Sequence, residues 1–162
     1  PKKVLSYLLG GAIVASALIA LPQQYFFNEF PRSPYREVTA YLSAHPGSII
    51  LHDNKLSYFP CHFYDQALPQ VFLADEPGSH NDTLAYSSQQ AMNIFPEKNL
   101  SDITNGVESI QFVVFERAIY EYQQTGEIDH PVLATLKEQF QLKNIQKFND
   151  LLVYEFIQPD EM

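Results

Sequence analysis

An uncharged hydrophobic run near the N-terminus constrains this chain more than any other feature of its sequence. The run extends from Val4 to Leu21 and is interrupted only by two polar serines, Ser6 and Ser16. A run of this length can cross a bilayer as a single helix. Lys2 and Lys3 precede it, and basic residues favour the cytoplasmic side of a membrane. We therefore expect the rest of the chain to lie outside the cytoplasm.

Two other interpretations of this run stay open. The basic start, the apolar stretch and the small residues Ala15, Ser16 and Ala17 also fit a cleavable signal peptide, although apolar residues continue through Leu21. A helix buried in a soluble core is the third interpretation, but a small domain can hardly surround a helix that is apolar on all sides. The span and the signal peptide both place the following domain outside the cytoplasm.

The sequence divides into a transmembrane helix with its interfacial junction, residues 1–31, and one extracytoplasmic domain, residues 32–162. The second part is long enough for one compact core. It carries 8 basic and 18 acidic side chains. This acidic balance argues against binding to nucleic-acid phosphates. Cys61 is the sole cysteine, so the chain has no intrachain disulfide.

The alternation of helical and strand patterns predicts a three-layer α/β domain with a mainly parallel sheet and a C-terminal antiparallel β-hairpin. Turn signals such as Pro34, Gly47 and Asn149-Asp150 separate the elements. We expect the run IQFVVFE to be the central strand because it is uniformly apolar at its core. The predicted helices are 35–44, 83–95, a short one from 101 and one from 131, and the predicted strands are 48–52, 71–74, 110–116, 142–148 and 151–157. The segment between the first two strands is aromatic and proline-broken, so its rings should pack inward or against membrane.

The order of these features resembles a known family. The features are a last hydrophobic helix, an aromatic and arginine-bearing junction, and then PYREVTAYLSAHPGSIILHDNKLSYFPCHFY, followed later by QFVVFE and LKNIQKFNDLLVYEF. In this order they are similar to the C-terminal extracytoplasmic domain of polytopic glycosyltransferases of the GT-C superfamily. The resemblance is to the protein-mannosyltransferase-like and aminoarabinose-transferase-like members. It covers most of the chain as a pattern, and no single position is diagnostic.

The resemblance implies a specific role. Members of the family transfer a sugar from a polyprenyl-phosphate donor, using an acidic residue in a loop between early membrane helices. That loop has no counterpart in this sequence, so the resemblance implies a non-catalytic tail of such an enzyme. Its implied partners are membrane lipid, the polyprenyl-phosphate sugar and the catalytic membrane domain. From the residues alone, a stand-alone membrane-tethered binding or sensor module is the alternative.

One set of candidate site residues lies at predicted strand ends. His52 and Asp53 end the first strand, and Glu116 and Arg117 end the central strand. Open parallel sheets place ligands at the carboxyl ends of their strands, so these residues could meet in one crevice with Tyr58. The structural alternative is that they are polar residues capping the loops.

A second set follows the membrane segment. Arg32 and Arg36 could bind lipid phosphate, and Tyr35 could sit among headgroups. The structural alternative is simple anchoring at the interface, because such residues flank many spans.

Other chemistry finds little support in the sequence. The five histidines are scattered without metal-ligand spacing, so we expect no metal site. Cys61 and His62 are neighbours, but adjacent residues on a strand would point to opposite faces, which disfavours a catalytic pair. The sequence has no glycine-rich phosphate loop and no nucleophile elbow. We therefore predict no cofactor and no catalytic residue in this chain.

Overall fold

The computed structural model describes residues 2–26, 33–75, 86–126 and 128–159. The chain forms two units, Pro1–Ser33 and Pro34–Met162. Arg32 lies outside the described residues, so its predicted lipid-binding role has no structural description.

The first unit contains one long helix, α1, which extends over Lys2–Phe26. Its segment Val4–Pro22 is 19 residues long with a mean hydropathy of 2.2, and none of it is buried within the protein. At 1.5 Å of rise per residue the segment is about 28 Å long, close to the thickness of a bilayer's hydrocarbon core. The Ser16 hydroxyl donates to the backbone carbonyl of Ala12 at 2.8 Å, which satisfies this polar group inside the helix. Length and composition thus fit a single span or a signal sequence.

The second unit is an α/β domain built around one five-stranded sheet. Its helices are α2 (Tyr35–Ala44), α3 (Lys55–Tyr64), α4 (Tyr86–Met92), α5 (Leu100–Thr104), α6 (Glu116–Gln124) and α7 (Pro131–Gln139), and its strands are β1 (Ile49–His52), β2 (Gln70–Phe72), β3 (Ser109–Phe115), β4 (Gln141–Phe148) and β5 (Leu151–Ile157). The strand order is β2-β1-β3-β5-β4.

The sheet is mixed, which corrects the expectation of a mainly parallel sheet. β1 pairs in parallel with both β2 and β3, whereas β5 pairs antiparallel with both β3 and β4. The expectation was wrong because the hairpin joins the sheet through β5, which lies directly beside the central strand over its whole length. The antiparallel part is therefore the more extensive one, because β5 pairs with seven residues of β3 and with seven of β4.

Local sequence explains several element boundaries. The Asn54 side chain accepts a hydrogen bond from the backbone N–H of Leu56 at 2.9 Å and so caps α3. Pro131 stands in the first turn of α7, where a missing N–H costs nothing. Asn149 takes a positive φ of 51° in the two-residue turn between β4 and β5.

The core consists of two hydrophobic clusters. Alternate residues of β3 point to opposite faces of the sheet, so Val113 packs in one cluster while Phe112 and Val114 pack in the other. Helices α2 and α3 contribute Val38, Leu42 and Cys61 to the first cluster, and α5 and α7 contribute Ile103, Leu133 and Leu136 to the second. Helices therefore pack against both sheet faces, and the residues of β3 from Ile110 to Val114 are fully buried.

Candidate functional site at the strand ends

The carboxyl ends of β2, β1 and β3 form one edge of the sheet, and this edge holds the first candidate set. His52 is the last residue of β1 and lies between Phe72 of β2 and Val113 of β3. The Tyr58 ring in α3 stands perpendicular to the imidazole, with ring centroids 5.7 Å apart. The structure thus brings His52 and Tyr58 into contact, whereas Asp53, the next residue along the chain, pairs with His130.

The His52 imidazole is fully buried and both of its nitrogens have partners. Nε2 lies 3.0 Å from the Gln70 side-chain oxygen, and Nδ1 lies 3.1 Å from the Ser57 hydroxyl. Gln70 directs its amide nitrogen to the Asp65 carbonyl at 2.9 Å, so its oxygen can only accept and Nε2 donates. Nδ1 is then the acceptor nitrogen of the ring, and the single Ser57 hydroxyl hydrogen has two acceptors within reach, Nδ1 and the Asn54 carbonyl, each at 3.1 Å. These contacts tie β1 to both β2 and α3.

Burial also determines the protonation of His52. Desolvation lowers its pKa from 6.5 to about 4, and the hydrogen bond to Gln70 opposes this shift only in part. The ring is therefore neutral at physiological pH. It is enclosed in the protein, so it cannot exchange protons directly with a substrate in solvent.

Asp53 connects the end of β1 to the start of α7. Its carboxylate lies 3.1 Å from Nε2 of His130, which is almost fully buried, and its other oxygen accepts from the Asn54 amide at 3.1 Å. The Tyr122 ring of α6 packs edge-on against His130 with centroids 4.7 Å apart. Among the described residues, His130 Nδ1 is a buried atom without a hydrogen-bond partner. The Asp53 carboxylate thus links the end of β1 to the residues that precede α3 and α7.

Lys55 and Asp75 form a second polar link at the same edge. Lys55 is the first residue of α3, Asp75 follows β2, and their side chains make an ion pair with only 6% and 16% of their surfaces exposed. Sequence reasoning missed both residues and also missed His130. No local pattern marks them, because their partners come from distant parts of the chain.

Glu116 and Arg117 take other partners at the start of α6. Both Glu116 carboxylate oxygens accept from Lys147 of β4, at 2.7 and 2.8 Å. Arg117 donates to Glu121 one helical turn away at 2.7 Å, in a solvent-exposed pair. The contacts of the described residues therefore join neither side chain to His52 or Asp53.

The interface candidates also differ from one another. The Tyr35 hydroxyl donates to the Leu56 carbonyl at 3.1 Å, so this side chain ties α2 to α3. Arg36, next along α2, is exposed to solvent. Of these two residues, Arg36 is therefore the one whose side chain is accessible to an anionic surface.

The lone cysteine is a core residue. Cys61 is fully buried in α3, and burial raises the pKa of its thiol to about 11. Cys61 and His62 lie on a helix rather than on a strand. Their side chains therefore point in different directions because of the helical rotation between neighbouring residues. The His62 ring stacks on Tyr58 with centroids 5.3 Å apart. In the described ranges, no group of three histidine, cysteine, aspartate or glutamate residues is placed to hold a metal ion.

A shallow depression lies at the other end of the sheet. Its volume is about 530 Å³, and it is lined by residues of α5, the end of α7 and the segment after β5, among them Asp102, Asn105, Gln139 and Gln158. The lining is mainly polar, and the depression is open to solvent. A small polar molecule could enter it, but it holds none of the predicted site residues.

Comparison of the chain with protein-family models, with curated proteins and with solved structures found no match. The geometry alone therefore indicates what these residues do. At the strand ends, His52, Asp53 and Lys55 each contact a partner from another element, and together they fasten α3, β2 and α7 to β1. This arrangement supports a structural role for the polar edge.

Proposed function

We propose that this chain is the membrane-anchored, extracytoplasmic, non-catalytic C-terminal domain of a membrane glycosyltransferase that uses a polyprenyl-phosphate-linked sugar donor. The observation that carries the proposal is the apolar helix over Val4–Pro22, which is followed within a few residues by an α/β domain. Lys2 and Lys3 before the helix favour an outside location for the domain.

The order of elements supports the transferase assignment. The sequence that resembles the GT-C tail forms, in order, α2, β1, the aromatic helix α3, β2, β3 and the closing hairpin β4 and β5. The side chains most suited to chemistry support an accessory role. His52 is buried and neutral, Cys61 is a buried thiol with a raised pKa, and Asp53 is engaged with His130.

The test is the level of lipid-linked sugar in membranes. Deletion of the gene that encodes the chain should make a polyprenyl-phosphate sugar accumulate, because its consumer is lost. Mass spectrometry of extracted membrane lipids measures this accumulation. The wild-type gene should restore the normal level, whereas a gene carrying V114D should not, because a charge in the fully buried centre of β3 should unfold the domain.

The matched control is I128D, which places the same new charge at a position that is 96% exposed. This variant should restore the normal lipid level as well as wild type. An unchanged lipid-linked sugar level in the deletion strain would reject the transferase assignment, and full restoration by V114D would reject a requirement for the folded domain.

The second candidate function is a membrane-tethered binding or sensor module. Its candidate ligand site among the described residues is the open polar depression of about 530 Å³ near α5 and α7. If the deletion strain keeps normal lipid-linked sugars, this function becomes the better account of the chain. Loss of ligand binding on substitution of Asp102, which lines the depression, would then test it.

A further inference from the structure

Helix α3 has an outward face made of apolar and aromatic side chains. Leu56 is 57% exposed and Phe63 is 79% exposed, and the partly buried Phe59 lies between them at helical spacing. Tyr64 extends this face at the end of the helix and is also largely exposed. We refer to Leu56, Phe59, Phe63 and Tyr64 as the α3 aromatic face. The opposite side of the helix is already used, because Ser57, Tyr58 and Cys61 are buried.

The α3 segment itself differs in charge from the rest of the domain, although Asp53 and Asp65 stand just before and just after it. Residues 34–162 carry 18 acidic and 7 basic side chains, yet no aspartate or glutamate occurs between Asn54 and Tyr64. Approach of an acidic domain to an anionic bilayer is generally unfavourable. A helix without carboxylates reduces that repulsion at the place where its own surface would touch the bilayer.

The α3 aromatic face also lies beside the point where the chain enters the domain. The Tyr35 hydroxyl, in the first turn of α2, donates to the backbone carbonyl of Leu56 at 3.1 Å. The exposed Arg36 follows directly. Only residues 27–34 separate the end of α1 from the start of α2, and eight residues extend at most about 29 Å. A bilayer crossed by α1 therefore remains within reach of this corner.

We propose that the α3 aromatic face docks into the headgroup region of the bilayer that anchors the chain, with Arg36 beside it against lipid phosphate. The proposal rests on the membrane anchoring in the proposed function. Aromatic side chains favour the membrane interface because their rings are apolar enough for the acyl boundary and tolerate nearby water. Arginine's planar fork suits phosphate oxygens. In this arrangement α3 restricts the orientation of the domain over the membrane.

The chain offers a direct probe of this docking because it contains no tryptophan. The full chain carrying F63W is reconstituted into phosphatidylcholine and phosphatidylglycerol vesicles, with and without brominated phosphatidylcholine. Bromine quenches a tryptophan only when the ring lies within the lipid. We expect the F63W emission to shift to shorter wavelength and to lose intensity in brominated vesicles.

The matched control is Y120W, which places the probe on α6 at a position that is 58% exposed and outside the α3 aromatic face. Its emission should be that of a ring in water and should not respond to bromine. Equal responses of F63W and Y120W would overturn the docking. A blue shift of F63W without quenching would also overturn it, because the ring would then be covered by protein, such as a second copy of the chain.

Alkaline carbonate extraction of the same vesicles separates this inference from the proposed function. A chain that resists extraction but leaves F63W unquenched is anchored without α3 docking, which refutes only the inference. A chain that is released by carbonate lacks the anchor and refutes both. Resistance to extraction together with quenching of F63W supports both.

Discussion

Replacing His52 by glutamine should remove a pH-dependent part of the domain's stability. Burial lowers the pKa of His52 to about 4 in the folded chain, against 6.5 for an unperturbed histidine. Between these two values the unfolded chain binds a proton that the folded chain does not bind. The free energy of unfolding therefore falls as the pH falls from 6.5 to 4, and below pH 4 the loss from this group is complete.

The size of the effect follows from the gap between the two pKa values. At about 1.4 kcal/mol for each tenfold difference in proton affinity, the loss amounts to about 3 kcal/mol by pH 4. Other groups also titrate in this range, but they are shared by wild type and H52Q and cancel in the difference. A constant cost of the substitution likewise cancels from the comparison across pH.

The assay is urea unfolding of the full chain in detergent micelles at pH 7, 6, 5 and 4, followed by circular dichroism. The free energy of unfolding of wild type minus that of H52Q should be about 3 kcal/mol lower at pH 4 than at pH 7. A difference that is constant within about 1 kcal/mol over this range would refute the argument that His52 is buried as a neutral ring.

Three further predictions concern the described contacts. V114D should lower the free energy of unfolding by several kcal/mol and I128D by less than about 1 kcal/mol, as measured by urea unfolding. K55M should cost about 3 kcal/mol because it leaves the carboxylate of Asp75 largely buried without its cation, whereas R117M, whose side chain is 84% exposed, should cost less than about 1 kcal/mol; equal costs would contradict the burial of the first pair. Cys61 should react with a chromogenic disulfide reagent at pH 8 only after denaturation, because it is buried and its thiol pKa is raised to about 11; rapid reaction of the native chain would contradict its place in the core.

Elements with strong local signals were predictable from the sequence. The helix predicted at 35–44 is α2, the run IQFVVFE forms the central strand β3 with a shift of one residue, and the hairpin turns at Asn149-Asp150. In each case an apolar pattern lies next to a turn or cap residue, and both are readable within about ten residues. Helix α4 ends at Met92, three residues before the end of the predicted 83–95, whose first three residues lie outside the described part of the chain, and α6 directly follows β3 without an intervening turn signal.

Features that depend on distant pairing were not predictable. The sheet became mixed because β5 pairs with β3, a choice made between residues about 40 positions apart in sequence. The candidate site shows the same limit. His52 and Tyr58 contact each other because they are close in sequence around β1 and α3, whereas the partners Gln70, Asp75 and His130 come from other elements. Glu116 follows β3 at the same edge of the sheet, but its carboxylate pairs with Lys147, which the hairpin brings beside it.

Cysteine labelling can test whether one helix anchors an extracytoplasmic domain. Cys61 is the sole cysteine, so C61A provides a cysteine-free background, and E138C adds one exposed thiol on α7. In intact cells, a membrane-impermeant maleimide should label E138C on the full-length, carbonate-resistant chain, while a cysteine added before Pro1 should be labelled only after permeabilisation. Labelling of E138C only after permeabilisation would place the domain inside the cytoplasm and rule out the proposed extracytoplasmic location.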